Sequence, residues 1–320
     1  MQNKGLALVL GMILASVGGL LAWRATERAE AEPLPAAAAW RLDKIEALTQ
    51  AAGFAAPAWS PDGGALAFTG GDGVYLYGFK DNSFKRLSSR KAGFKFFWTS
   101  DGDALVFRAQ TPDKPLQIQR LDAATGRVTT LAQAADLGLP QETVAGLLQF
   151  RDGAKTRLLN AQTGATLRPE TVNLRQPYVY QFRDEIYLQA NGQTRQLTKS
   201  DGQYFLPQLS PDGQKVLYQE LTRGICVTDL VTGVTMLLGS GEDPAWSPDS
   251  QFVAFAVTRD DGHQILASEI CVSDLAGRRL QLTDTPARLE TRPAWSPDGK
   301  FLAFDADGAI FRAAIFLNKE

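Results

Sequence analysis

The sequence predicts an all-β chain folded as a β-propeller of four-stranded blades, and three observations carry that prediction. One pentapeptide recurs five times with little change: Trp59-Ser-Pro-Asp-Gly63, Trp98-Thr-Ser-Asp-Gly102, Leu209-Ser-Pro-Asp-Gly213, Trp246-Ser-Pro-Asp-Ser250 and Trp295-Ser-Pro-Asp-Gly299. An apolar run follows every copy, and a second glycine turn follows in most units. Self-similarity at such a period belongs to repeat architectures, in which neighbouring units bury one another's faces. The copies start 39, 111, 37 and 49 residues apart. Because 111 is three times 37, two degenerate copies fall between Trp98 and Leu209, giving seven units. Six is the alternative, should Ala145 to Thr198 supply a single irregular blade.

The chain opens differently. Gly5 to Trp23 is nineteen uncharged, mostly apolar residues after Lys4, followed by Arg24, Glu27 and Arg28 and then an Ala/Glu/Pro stretch. That length fits a membrane-spanning helix and exceeds the usual core of a cleaved signal. Residues 1–24 are therefore expected to form an uncleaved signal anchor, 25–39 a linker and 40–320 the propeller. Cleavage near Ala29-Glu-Ala31 is the alternative, with release of the propeller. Lys4 on one side and Arg24 and Arg28 on the other nearly balance, so charge alone does not orient the span.

Arg41 to Thr49 reads as an outermost strand lying ahead of the first pentapeptide. Leu48-Thr49 precedes Trp59 by 11 residues, much as Leu197-Thr198 precedes Leu209 by 12 and Leu282-Thr283 precedes Trp295 by 13. The last unit, from Pro293, has room for about three strands of ordinary length. The N-terminal strand is thus expected to complete the last blade and close the ring.

Within a unit, the pentapeptide is a turn between first and second strands. Ser bonds back to the backbone, Pro presets φ, and Asp followed by Gly accepts the last corner. Counting from the Asp, the residues four and six further on are Leu66/Phe68, Leu105/Phe107, Val216/Tyr218, Val253/Phe255 and Leu302/Phe304. Between them stand Ala67, Val106, Leu217, Ala254 and Ala303. Such strands are apolar on both faces, as sheets stacked around an axis require. The turns Thr125-Gly126, Thr163-Gly164, Asn191-Gly192, Thr232-Gly233 and Ala276-Gly277 mark the hairpin to the outermost strand.

Repeats of the form Pro-x-Trp-Ser-Pro-Asp-Gly-x-x-(Leu/Val)-Ala-Phe, clearest at Pro57–Phe68, Pro244–Phe255 and Pro293–Phe304, resemble the WD40-like or PD40 repeats of TolB-type propellers. They are similar also to those of tricorn-like and prolyl-oligopeptidase propellers. TolB-type proteins place a small α/β domain before a six-bladed propeller, whereas about forty residues precede the repeats here. The resemblance implies a propeller over roughly residues 40 to 320 on the extracytoplasmic, periplasmic side, where the expected anchor would hold it to the inner membrane. The motif residues build turns and core, so no catalytic role comes with them.

Composition and chemistry narrow the function. With 33 Lys and Arg against 35 Asp and Glu, the formal charge is −2 and no polybasic stretch invites nucleic acid. Cys226 and Cys271 share one register on the third strands of consecutive blades, on the order of 13 Å apart from strand spacing. A disulfide needs Cα atoms within about 7 Å, so two buried free thiols are expected. The sole histidine, His263, stands beside Asp260 and Asp261 in a glycine turn, and neither a nucleophile elbow nor a phosphate loop is present. No catalytic residue, metal or cofactor is assigned.

First-to-second and third-to-fourth turns emerge on one face and are tight. The other face carries the irregular connections, including residues 88–94, 108–115, 198–207, 258–268 and 283–293. Irregular loops on a rigid scaffold are where binding is selected. Arg90, Lys91, Lys95, Tyr204, Arg259, His263, Arg288 and Arg292 are the candidate binding residues. The leading expectation is a monomeric, membrane-tethered propeller that binds a protein or envelope component through this face without catalysis. An enzyme acting on carbohydrate or an envelope polymer, with His263 in its site, and a purely structural spacer are the alternatives. If Gly5 to Trp23 is retained, the protein stays in the membrane fraction after carbonate washing and keeps Met1 by mass spectrometry. Soluble protein starting near Glu32 would show cleavage instead.

Overall fold

Each pentapeptide folds as a hydrogen-bonded corner. The Ser60 hydroxyl donates to Asp62 Oδ1 at 2.6 Å and accepts from the Ala65 amide at 2.9 Å, while the Gly63 amide donates to the Ser60 carbonyl at 2.9 Å. Thr99, Ser210, Ser247 and Ser296 repeat the bond to Asp101, Asp212, Asp249 and Asp298 at 2.6, 2.5, 2.6 and 2.6 Å. The corner closes with a left-handed residue, Gly63 at φ 71° in the first copy and Ser250 at 61° in the copy that lacks glycine. The hydroxyl bond holds the Asp62, Asp101 and Asp298 carboxyls below the ordinary carboxylate range. These aspartates are turn anchors.

The computed structural model describes residues 40–317 except 51–52, 91, 93–94, 110–114, 145, 154, 169–176, 200–201, 262 and 286–287. The expected N-terminal helix and linker lie outside the described residues. Twenty-six strands, and no helix, form seven antiparallel sheets among those described. Strand β1 is Trp40–Ala47. Blade 1 holds β2 (Phe54–Trp59), β3 (Ala65–Gly70), β4 (Gly73–Gly78) and β5 (Ser83–Ser88). Blade 2 holds β6 (Phe96–Trp98), β7 (Ala104–Ala109), β8 (Leu116–Asp122) and β9 (Val128–Ala134). Blade 3 is β10 (Gln141–Val144), β11 (Leu147–Asp152) and β12 (Lys155–Asn160); blade 4 is β13 (Tyr178–Phe182), β14 (Glu185–Ala190) and β15 (Gln193–Gln196). Blade 5 comprises β16 (Tyr204–Leu209), β17 (Lys215–Glu220), β18 (Gly224–Asp229) and β19 (Thr235–Gly239). Blade 6 comprises β20 (Glu242–Trp246), β21 (Phe252–Asp260), β22 (Ile265–Asp274) and β23 (Arg279–Gln281). Blade 7 runs β24 (Glu290–Trp295), β25 (Phe301–Ala306), β26 (Ala309–Leu317) and then β1.

The count is therefore seven, and the stretch from 145 to 198 contributes to two blades. Both depart from four strands. In blade 3 the outermost strand shrinks to one bridge, Leu159 with Thr166. In blade 4, Leu197-Thr198 follows β15 as Leu282-Thr283 follows β23, so β13 is a second strand.

Blade stacking follows the second-strand code. Leu105 and Phe107 of blade 2 pack on Ala67 of blade 1, Val253 and Phe255 of blade 6 on Leu217 of blade 5, and Leu302 and Phe304 of blade 7 on Ala254 of blade 6. All nine are fully buried, each large side chain worth about 1.5–3 kcal/mol of transfer free energy. The seam between blades 3 and 4 differs: Arg151 lies 4.9 Å over both Tyr180 and Phe182, and the Gln141 amide donates to the Val179 carbonyl at 2.7 Å. Cys226 packs toward blade 4 and Cys271 toward blade 5. Both are free and buried, and burial pushes each thiol up to about 11.

Two recurrent residues stitch the ring. Trp59 Nε1 donates to the Ala294 carbonyl and Trp98 Nε1 to the Ala58 carbonyl, both at 3.0 Å, and Trp246 Nε1 to the Gln208 carbonyl at 3.5 Å. The acceptor each time lies on the preceding blade's innermost strand. Trp295 Nε1 is buried without a partner. The repeated Leu-Thr is a cap: Thr49, Thr198 and Thr283 hydroxyls accept from the Ile310, Ile186 and Ile270 amides at 2.9, 2.9 and 2.8 Å. Through the first of these and the pairing of Trp40–Ala47 with β26, the N-terminal strand closes the last blade.

Trp59→Phe and Trp98→Phe each remove an indole bond as well as volume, whereas Trp295→Phe removes volume and a buried orphan donor. In thermal unfolding, the first two are expected to cost about 1–2 kcal/mol more than the third.

Candidate binding face

The two faces of the ring are built differently. On one, the pentapeptide corners alternate with hairpin turns locked by Asp122, Asn160 and Asp229, whose side chains accept the Thr125, Thr163 and Thr232 amides at 2.8, 2.9 and 2.7 Å. A cleft of about 370 Å³ lies there between blades 7 and 1, and the Arg312 guanidinium fills part of it, 4.4 Å from the Phe79 ring and 4.8 Å from Phe301. Corners so fully bonded leave few polar groups free for a ligand.

The opposite face is organised by bulges. Innermost strands β2, β16, β20 and β24 each slip register three residues before the pentapeptide begins, at Ala56, Leu206, Asp243 and Arg292. All four adopt left-handed backbone, φ 56°, 54°, 48° and 52°. For non-glycine residues that conformation costs roughly 1–2 kcal/mol each, sustained by the packing around it. Lys95 occupies the same position in blade 2 and reaches across the ring to Asp243 of blade 6, Nζ to Oδ1 at 3.4 Å. At the seam of blades 7 and 1, Arg292 donates through Nε and Nη2 to the two oxygens of Asp305 at 2.7 and 2.6 Å. Asp305 also accepts the Ala56 amide of the next blade at 3.0 Å. Burial works against the Arg292 charge, and the carboxylates of Asp305 and, secondarily, Asp243 sustain it.

Between blades 5 and 6 the same face opens a cleft of about 500 Å³, lined by Phe205, Glu220, Arg223, Glu242, Asp243 and Thr258 among others. Arg223 Nη1 pairs with the buried Glu220 at 3.3 Å, and the Thr258 hydroxyl donates to Glu242 at 3.3 Å. None of the seven described sequence candidates lines it. Glu220 and Arg223 sit in a turn too short to stand out, and their convergence with Glu242 depends on which blades are neighbours.

The candidates themselves divide. Arg90, Lys95, Arg259, His263 and Arg288 are exposed on this face, and Arg288 lies 5.0 Å from the Phe311 ring. Lys91 lies outside the described residues. Tyr204 was expected at the surface, but it is buried in the blade 4–5 core and meets Tyr218 edge-on at 5.8 Å. Arg292 is committed to Asp305. His263 caps a hairpin tip where Asp261 accepts the His263 and Gln264 amides, both at 2.9 Å. Among the described residues, no three His, Cys, Asp or Glu side chains are placed to share a metal ion.

Residues 174–312 match the family model described as the PD40, TolB beta propeller domain. No curated protein gives a significant match. The crystal structure of TolB from Acinetobacter baumannii superposes with a TM-score of 0.53 at 19% identity, covering 78% of this chain and 59% of its own. A putative TolB from Agrobacterium tumefaciens gives 0.55 at 16% identity, covering 87% and 99%. An oligogalacturonate lyase from Vibrio parahaemolyticus gives 0.47 at 13% identity, covering 83% and 79%. This chain thus spans about three-fifths of the Acinetobacter TolB, and identities this low show a shared fold. The repeats matched over 174–312, together with the seven-sheet ring they help build, are those of a TolB-like, PD40-repeat β-propeller.

Proposed function

We propose that this chain is a membrane-tethered, extracytoplasmic propeller that binds a protein or an envelope component through its irregular face, without catalysis. The observation that carries the reading is the contrast between faces. One is built of repeated, internally bonded corners around a smaller cleft lined by Arg312; the other presents the 500 Å³ cleft, an ion pair across the ring and exposed arginines on connections of unequal length. A scaffold tolerates sequence change in such connections at small cost to the fold. The tether rests on the apolar stretch Gly5 to Trp23, and the extracytoplasmic side on the likeness to TolB propellers. The absence of catalysis rests on how the acids are used, since the aspartates that ring the corners are engaged by turn hydroxyls and amides.

The test separates display from support. Reversing Arg90 and Arg259 to Glu together is expected to abolish capture of the envelope partner by the full chain, with stability changed by no more than about 0.5 kcal/mol, because both are exposed. Lys300→Glu, on the corner face, is expected to leave capture intact. Equal loss from the two faces, or loss from Lys300→Glu alone, would move the site to the other side. Arg292→Ala is expected to behave as a structural change. It removes the cation from the Asp305 carboxylate, whose side chain is 4% exposed and keeps only the Ala56 amide and the Thr291 hydroxyl, at a cost of about 3 kcal/mol in denaturant unfolding.

A further inference from the structure

One threonine holds two carboxyl groups where blades 6 and 7 join on the irregular face. Glu290 opens β24 and is 1% exposed; Glu269 lies on β22. Thr285, between them in sequence, binds both. Its amide donates to the two Glu269 oxygens at 3.2 and 3.3 Å, and its hydroxyl donates to Glu290 Oε1 at 2.5 Å. The Thr283 hydroxyl adds a bond to Glu269 Oε2 at 2.8 Å. Backbone contacts pin the same point, with the Ser268 hydroxyl donating to the Glu290 carbonyl at 2.6 Å and Ser268 bridging Leu289 in parallel.

A counter-cation is missing. Among the described residues no ion pair reaches either carboxyl, and the charged groups of the surrounding elements are engaged elsewhere or exposed. Arg292 holds Asp305 across β24 and β25, Arg288 lies over Phe311, Asp307 accepts the Leu289 amide at 3.3 Å, and Asp284 is exposed. Glu290 Oε2 is buried with no partner. An ionised oxygen in that position would face both desolvation and its neighbour's charge, whereas one proton turns the repulsion into a hydrogen bond. Burial first, and the Glu269 carboxyl with it, raises the Glu290 pKa against the two threonine hydroxyls.

We propose that Glu269 and Glu290 share one proton, which latches blade 6 to blade 7 on the irregular face and makes that seam pH-sensitive. When the proton leaves to water the pair passes from one negative charge to two, and the hold on Thr283 and Thr285 loosens. The sign follows from linkage. The folded chain binds this proton more tightly than the unfolded chain, so the stability it brings is complete below the ordinary glutamate value. It is lost as pH rises through the elevated one.

The test compares the full chain with Glu290→Gln and Glu269→Gln between about pH 4 and pH 9. In either variant an amide N–H replaces the shared proton and cannot dissociate. The melting temperature of the wild type is expected to fall relative to both variants as pH rises. Hydrogen exchange at the Thr285 and Leu289 amides, corrected for intrinsic rate, is expected to lose protection in the wild type by about tenfold for each unit by which the folded pKa exceeds the ordinary value. Both variants are expected to keep that protection. Parallel melting profiles in all three proteins would overturn the proposal. So would wild-type protection at these amides that does not change with pH, a measurement that stands even if a variant fails to fold. Stabilisation of the wild type by calcium chloride at high pH, reversed by a chelator, would assign the pair to a metal ion and overturn it as well.

Discussion

Blades that are apolar on both faces cannot stand alone, and the rest of the structure depends on that constraint. Phe68, Phe107, Phe255 and Phe304 are fully buried because each meets the preceding blade, and their own blade offers a small or slender residue to the next. An open arc of such sheets would leave one apolar face at each end in water. Closure removes both ends at once, and Trp40–Ala47 supplies it by pairing with β26 while Ile310 and Thr49 bond across the same blade. A strand from the start of the propeller thus completes its last blade, which ties ring closure to the most distant contacts in the sequence.

Closure also explains why the irregular blades survive. Blades 3 and 4 show only three strands each among the described residues, yet their seam is held by a guanidinium over two aromatic rings and by glutamine bonds. Cation–π contacts of this kind supply on the order of 1 kcal/mol each, less than a full apolar seam. Strong seams on either side let the ring carry a weaker one.

The faces of the ring divide labour for a local reason. A corner that bonds its own hydroxyl, carboxylate and amides leaves few polar groups free, and some of those bond a neighbouring blade, as the Asp212 amide does to the Ser250 hydroxyl at 3.0 Å. The connections on the other face carry bonds between blades: Lys95 to Asp243, the Ala56 amide to Asp305, Thr285 to Glu269 and Glu290. The binding and the pH sensitivity proposed above both fall on the face where inter-blade geometry, and not turn chemistry, sets the contacts.

Much of this was legible in the chain. The pentapeptide with its apolar sequel determined the fold, because turn chemistry and two-sided burial are both local in sequence. The 111-residue gap favoured seven blades over six, and the Leu-Thr recurrence marked the closing strand. Identical register of the two cysteines was enough to keep them apart. What the tertiary structure alone decided is which loop residues meet. Tyr204 read as a surface aromatic and is core, and Arg292 read as a candidate binding residue and is paired with the buried Asp305. The cleft at Glu220 and Glu242, the reach of Lys95 to Asp243, and the joining of Glu269 and Glu290 through Thr285 involve residues from different blades or distant parts of the chain. A repeat writes its own turns and core into every copy, but contacts between copies depend on the angle at which one blade meets the next, and no single copy encodes that angle.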